Sequence, residues 1–279
     1  MNFERYNRVV IKVGSALLVD KVTGKIKADW MKSVCDDIAM LKDTGKDVVV
    51  VSSGAIAMGR RVLKISNAPG QEKLTLPESQ AAASVGQIAL ASAWRTCMEA
   101  HNLEAGQLLL TREDTENGVR AINAQATLKS LFAYNAVPVI NENDAVATEE
   151  IRYGDNDNLA ARVAVLTGAD LLILLSDING LYTANPMKDE SATFVPVVEK
   201  ITPDIIAMAG EPASSDSRGG MITKIQAGQI ATANGCDMII ASGKVMHPIR
   251  AIGEGEKYTF FHAQHASRTA HRPVLAPAQ

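Results

Sequence analysis

Short apolar runs rich in β-branched residues alternate along this chain with longer segments of helical period, and no other feature constrains the fold as strongly. A strand covered on both faces reads as an unbroken apolar run, whereas a half-exposed strand alternates. Arg8–Val13, Val48–Val51, Gln107–Leu110, Val137–Ile140, Leu171–Leu175 and Met238–Ile240 therefore predict strands. The spacing between them predicts helices over Ala28–Asp43, Pro77–Ala100, Val119–Tyr134, Leu159–Thr167, Pro203–Ala209 and Met221–Ala233. The second helix begins with a proline suited to a first turn and continues QAAASVGQIALASAW, whose alanines permit close packing and predict burial. Strand and helix in regular succession need crossover connections, so the expected class is α/β, an open and mainly parallel sheet with helices on both faces. Ligands of such sheets bind in the loops beyond the strand carboxyl ends.

A chain of 279 residues with 47% hydrophobic and 21% charged residues can bury a full core. A net charge of −3 supplies no basic field for a phosphate backbone, so small ligands are expected and nucleic acid is not. Cys35, Cys97 and Cys236 are odd in number and lack metal-site spacing. They are read as packing residues in a reducing cytoplasm. The opening MNFERYNRVV has no apolar leader, and no run reaches membrane-spanning length, so neither secretion nor anchoring is expected. Residues 1–265 read as one domain and 266–279 as a mobile tail in which periodicity gives way to Ala, Pro and Gln. His262 and His265 are read as surface residues, and Trp30 and Trp94 as filling between helix and sheet.

Neither common nucleotide fingerprint is present: GxxxxGK[ST] is absent, and GEGEKY at Gly253 lacks a third glycine and a preceding strand. A nucleotide site would have to be built otherwise. The first strand ends in Lys12-Val13-Gly14-Ser15, a cation at the ligand edge beside a turn that can approach a phosphate. The second runs into Ser52-Ser53-Gly54-Ala55, a small-residue turn opening a helix whose N–H groups attract anions. Ser217-Arg218-Gly219-Gly220-Met221-Ile222-Thr223-Lys224 is a glycine pair entering another helix. Each alone has an ordinary reading, as a snorkelling lysine, a serine-capped βα turn and a first-turn lysine facing solvent. Lys12 and Lys224 together suggest a two-lysine clamp.

Asn141-Glu142-Asn143-Asp144 follows the fourth strand, and Asp155-Asn156-Asp157-Asn158 precedes a helix. One such cluster is commonplace in turns, but two supply the acceptors for an ammonium group and the donors for a carboxylate that an amino acid requires. Ser176-Asp177 ends the fifth strand in a plausible nucleotide-facing loop, where Asp177 could equally be a turn former.

Taken in order, KVGSALL, VSSGAIAMGR, VPVINENDAVAT, YGDNDNLAA, LLSDINGLYTANP and GGMITK resemble the amino-acid kinase superfamily and, within it, the glutamate 5-kinases. The resemblance implies the αβα sandwich of the amino-acid kinase fold, with an N-terminal lobe for the amino acid and a C-terminal lobe for ATP. It implies that Lys12 and Lys224 stabilise the transferring phosphoryl group, that Asp157 orients both lysines, and that Ser53, Gly54, Asn141, Asp144, Asp155 and Asn156 surround glutamate. Lys12, Gly14, Ser176, Asp177, Arg218, Gly219, Gly220, Met221 and Lys224 would contact ATP, which Mg²⁺ accompanies, with no metal held by the protein itself. It further implies the first step of proline biosynthesis, inhibition by proline and a homo-oligomer. Many relatives have a small or hydroxyl residue where this chain has Arg218, and many bacterial ones carry a C-terminal PUA domain for which these residues leave no room. A glutamate carboxylate, with a pKa of about 4.3, is already a nucleophile and needs no general base. A related kinase of another carboxylate or carbamate, and a non-catalytic amino-acid or nucleotide sensor, are the competing readings. The two Asn/Asp loops disfavour the first, and retention of Lys12, Asp157 and Lys224 together disfavours the second.

Overall fold

The computed structural model describes residues 1–20, 22–65, 74–116, 118–146, 156–210 and 220–264. Asp155, Arg218, Gly219, His265 and the tail expected over 266–279 lie outside the described residues. The central strand β1 (Arg8–Val13) is followed by α1 (Ser15–Leu18), α2 (Ala28–Asp43), β2 (Asp47–Ser52), α3 (Ala55–Val62), α4 (Leu76–Glu99), β3 (Ala105–Leu110), α5 (Val119–Ala133) and β4 (Val137–Glu142). The second half adds α6 (Asn156–Thr167), β5 (Leu171–Ser176), β6 (Leu181–Tyr182), β7 (Phe194–Val195), β8 (Val197–Val198), α7 (Pro203–Met208), α8 (Met221–Ala233), β9 (Asp237–Ser242), α9 (Pro248–Glu254) and β10 (Tyr258–Phe261).

Eight strands form one sheet in the order β3-β4-β2-β1-β5-β9-β10-β8, and β6 pairs separately with β7. From β3 to β9 every pairing is parallel, and β10 then runs antiparallel to β9. The chain lays β2, β3 and β4 to one side of β1 and β5, β9, β10 and β8 to the other, so the strand order reverses beside β1, where open α/β sheets open a ligand crevice. Register brings the strand ends level: Val13 pairs with Ser52 and Leu175, and Val51 with Ile140, which leaves Asn141 beside the same edge.

Side chains alternate across the sheet, and β1 shows the consequence. Val9, Ile11 and Val13 enter the core shared with α2 and α4, while Val10 enters the opposite core with α5, α6 and α8. Lys12 follows Val10 by two residues, so its side chain rises on the α6–α8 face. Trp30 and Trp94 both fill the first core, and each indole N–H finds an acceptor, Gly243 O at 2.7 Å and Ser52 Oγ at 2.9 Å respectively.

The interior strands and the longer helices coincide with their sequence expectations to within a few residues. Three departures have physical causes. Helix α6 begins at Asn156, not Leu159, because the polar Asn156 and Asp157 are buried in its first turn instead of forming a loop. The turn after β2 is not serine-capped: Gly54 is the N-cap of α3, at φ 121°, a conformation that favours glycine. Strand β10 was not expected, since four residues after a charged stretch carry too little periodicity.

Candidate active site

A cleft of about 250 Å³ opens at the carboxyl edge of the sheet, lined by side chains from the ends of β1, β2, β4 and β5 and the first turns of α3, α6 and α8. Register and helix starts decide its contents. Asp157 stands in the first turn of α6 and Lys224 in the first turn of α8, both on the face to which β1 directs Lys12. The three meet: Lys12 Nζ lies 2.7 Å from Asp157 Oδ1, and Lys224 Nζ donates to Oδ2 at 2.9 Å. Both lysine side chains are 11% exposed and that of Asp157 only 2%. Thr223 Oγ1 is also 2.9 Å from Asp157 Oδ2 and 3.0 Å from Gly220 O. Its single proton belongs to the carboxylate, the charged and therefore stronger acceptor.

Burial by itself would raise the Asp157 pKa, but the adjacent Lys12 and Lys224 ammonium groups outweigh it and hold the carboxyl well below the usual carboxylate range. Within this trio one carboxylate faces two ammonium groups, so the trio itself keeps one positive charge, while Glu142, Asp144 and Asp177 line the cleft beyond it. Such a trio attracts an anion, and fixed cations there act more strongly than in water.

A second cluster occupies the β2–β4 side. Ser53 is held to the end of β1 by its backbone N–H, which donates to Val13 O at 2.9 Å. Asn156 Nδ2 donates to Ser53 Oγ at 2.6 Å and to Asn141 Oδ1 at 3.0 Å, and Asn141 Nδ2 donates to Gln87 Oε1 at 2.8 Å. Asp144 and Glu142 line the same side of the cleft. Gly14 stands beside the first cluster, and a Cβ there would lie 3.6 Å from Lys12 Nζ. Ser176 and Asp177 complete the wall at the end of β5.

Of the residues singled out in the sequence, Lys12, Gly14, Ser53, Gly54, Asn141, Asp144, Asn156, Asp157, Ser176, Asp177 and Lys224 thus share one cleft. Gly220 and Met221 are at the start of α8 but do not line it. Gln87 and Thr223 were missed. Gln87 carries one weak signal, a large polar residue amid the small residues of a helix expected to be buried.

A profile of the amino acid kinase family matches residues 7–242. The chain belongs to that family. Its amino acid kinase relatives include the glutamate 5-kinase of Agrobacterium fabrum, 57% identical over 271 residues that span 97% of this chain and 68% of that protein. Glutamate 5-kinase 1 of Mesorhizobium japonicum is 58% identical over 260 residues, 93% of this chain and 68% of that one. Among solved structures, the UMP kinase of Ureaplasma parvum aligns with a TM-score of 0.62 at 15% identity over 92% of this chain and 99% of that chain, a likeness of fold. Among the described residues no helix is long and apolar enough to cross a membrane.

Proposed function

We propose that this amino acid kinase transfers the γ-phosphoryl group of ATP to the side-chain carboxylate of L-glutamate, forming L-glutamyl 5-phosphate, the first step toward proline. One observation carries the reading: two buried lysines converge on Asp157 in the same cleft as the Ser53–Asn156–Asn141 cluster. Identity to glutamate 5-kinases over nearly the whole chain supports the choice of acceptor.

The difficulty in this reaction is repulsion between an anionic nucleophile and an anionic triphosphate, not weak nucleophilicity. In the proposed mechanism Lys12 and Lys224 neutralise charge on the transferring group, and Asp157 fixes both ammonium groups before substrates arrive. The Ser53 cluster binds the amino-acid end of glutamate and aligns its side-chain carboxylate with the phosphorus. Ser176 and Asp177, with the stretch from Arg218 to Lys224, belong to the nucleotide side. Mg²⁺, bound to phosphate oxygens, would supply further charge neutralisation. No cluster of three or more His, Cys, Asp or Glu side chains suited to a metal occurs among the described residues. A cytoplasmic location, inhibition by proline and homo-oligomeric assembly belong to the same reading and rest on the family resemblance.

The test is ATP turnover by the purified protein with each of three acceptors, together with trapping of the acyl phosphate by hydroxylamine. L-Glutamate is expected to release ADP and yield a hydroxamate, whereas L-aspartate and N-acetylglutamate do neither. Turnover with an acceptor other than glutamate, or none with any, defeats the proposal.

A further inference from the structure

Gln87 lies on α4, outside every loop to which the sequence assigned a ligand, yet it is only 8% exposed and ends a chain of amides that begins in the cleft. The donors along this chain all run one way, from Asn156 Nδ2 to Asn141 Oδ1 and from Asn141 Nδ2 to Gln87 Oε1. A carboxamide has nearly the same shape when its oxygen and nitrogen exchange places, so shape alone leaves the polarity of Asn141 and Asn156 undecided. The group at the far end of the relay decides it, and in the structure that group, Gln87, presents its oxygen. With Gln87 Oε1 accepting, Asn141 must present its oxygen to Asn156, and Asn156 must present its nitrogen to both Asn141 and Ser53.

Two consequences reach the cleft. Ser53 Oγ accepts from Asn156 at 2.6 Å, which leaves its own proton to donate. Asn156 Oδ1 is left buried without a partner on a residue that is 5% exposed and lines the cleft. A hydroxyl ready to donate beside an amide oxygen ready to accept matches an α-carboxylate beside an α-ammonium group. The helix itself cannot drift from this position. Its first turn is closed by a reciprocal Thr75–Glu78 capping box, and next to Gln87 a Cβ added at Gly86 would lie 1.8 Å from Ala55 O.

We infer that Gln87 is a positioning residue that sets the polarity of the Asn141–Asn156–Ser53 amide relay and thereby selects an acceptor carrying an α-amino acid end over a plain dicarboxylate. This rests on the glutamate kinase reading and specifies how its acceptor site discriminates.

The experiment compares L-glutamate with glutarate, which has the same two carboxylates but no ammonium group, in the wild type, Gln87→Met and Gln87→Glu. Methionine keeps the length and removes the acceptor, whereas glutamate keeps an acceptor oxygen. Gln87→Met is expected to lower kcat/KM for glutamate by about ten-fold or more while KM for ATP stays at the wild-type value. Preference for glutamate over glutarate should fall by a similar factor. Gln87→Glu should recover most of that preference, a rescue that simple loss of packing would not produce. The inference is overturned if Gln87→Met retains the wild-type preference, or if its losses fall equally on glutamate and ATP. Should Gln87→Met not fold, Gln87→Glu decides alone, and a ten-fold loss of preference in it counts against the relay. A wild type that never uses glutamate defeats the underlying reading instead, so the two failures are distinct.

Discussion

Lys224 is four residues into a glycine-opened helix, a position from which lysines usually reach solvent, yet here its ammonium group is buried against Asp157. If it stabilises charge in the transition state, Lys224→Ala should lose about 10²–10³ in turnover, the usual effect of deleting one preorganised donor. Folding should be near normal, because Lys12 remains to neutralise the carboxylate. Steady-state kinetics beside a thermal melt checks both, and a variant keeping more than half the turnover removes Lys224 from the mechanism. Asp157 behaves in the opposite way, since removing its charge leaves two ammonium groups facing each other in a poorly hydrated site. Asp157→Asn should cost about 3–5 kcal/mol of stability at pH 7, the usual result of breaking a buried pair from one side. The pH dependence has a definite sign. A carboxyl with a lowered folded-state pKa contributes stability that is complete above the unfolded value of about 3.9 and is lost as pH falls toward the folded value. The gap between wild type and Asp157→Asn in thermal unfolding should therefore be widest near neutrality and narrow below about pH 4.

Helices α3 and α4 cross with their backbones in direct apposition. A Cβ added at Gly59 would lie 1.7 Å from Ala82 O, and one at Gly86 would lie 2.5 Å from Gly59 N as well as close to Ala55 O. Neither obstacle is the end of a flexible side chain that could swing away. Gly86→Ala should thus destabilise by about 3 kcal/mol, the upper part of the range for overpacking, and lower the melting temperature by roughly 6–12 °C. An unchanged melt would show that the helices can separate. From α4 the side chains of Gln87 and Trp94 reach Asn141 and Ser52, at the ends of β4 and β2. Looseness at the crossing should then also appear as weaker glutamate binding.

Across the whole molecule, what could be read from the chain tracks how local its signal is. The parallel core was legible because each interior strand is a continuous apolar run, and Lys12 and Lys224 stood out because each sits where a strand or helix meets the ligand edge, whereas the role expected of Asp157 came from the family resemblance. The short strands β6, β7, β8 and β10 were not, since two to four residues carry no period. Gln87 gave only a weak signal for another reason. Its partner Asn141 is 54 residues away, and only the folded sheet brings them together. Because the cleft draws on strands from both sides of β1, ATP and glutamate together should stabilise the protein as one unit. Each ligand at a hundred times its dissociation constant should add about 2.7 kcal/mol, seen as a rise in melting temperature greater with both than with either.

The apposed glycines of α3 and α4 carry a lesson for redesign. A pocket whose walls slide past one another can be widened for a longer acceptor by shifting one helix along its neighbour. Here the main chains already touch, which closes that route. Any new acceptor preference must then be written in exchangeable groups such as Ser53, Gln87 and Asn156, while the scaffold beneath them keeps its dimensions.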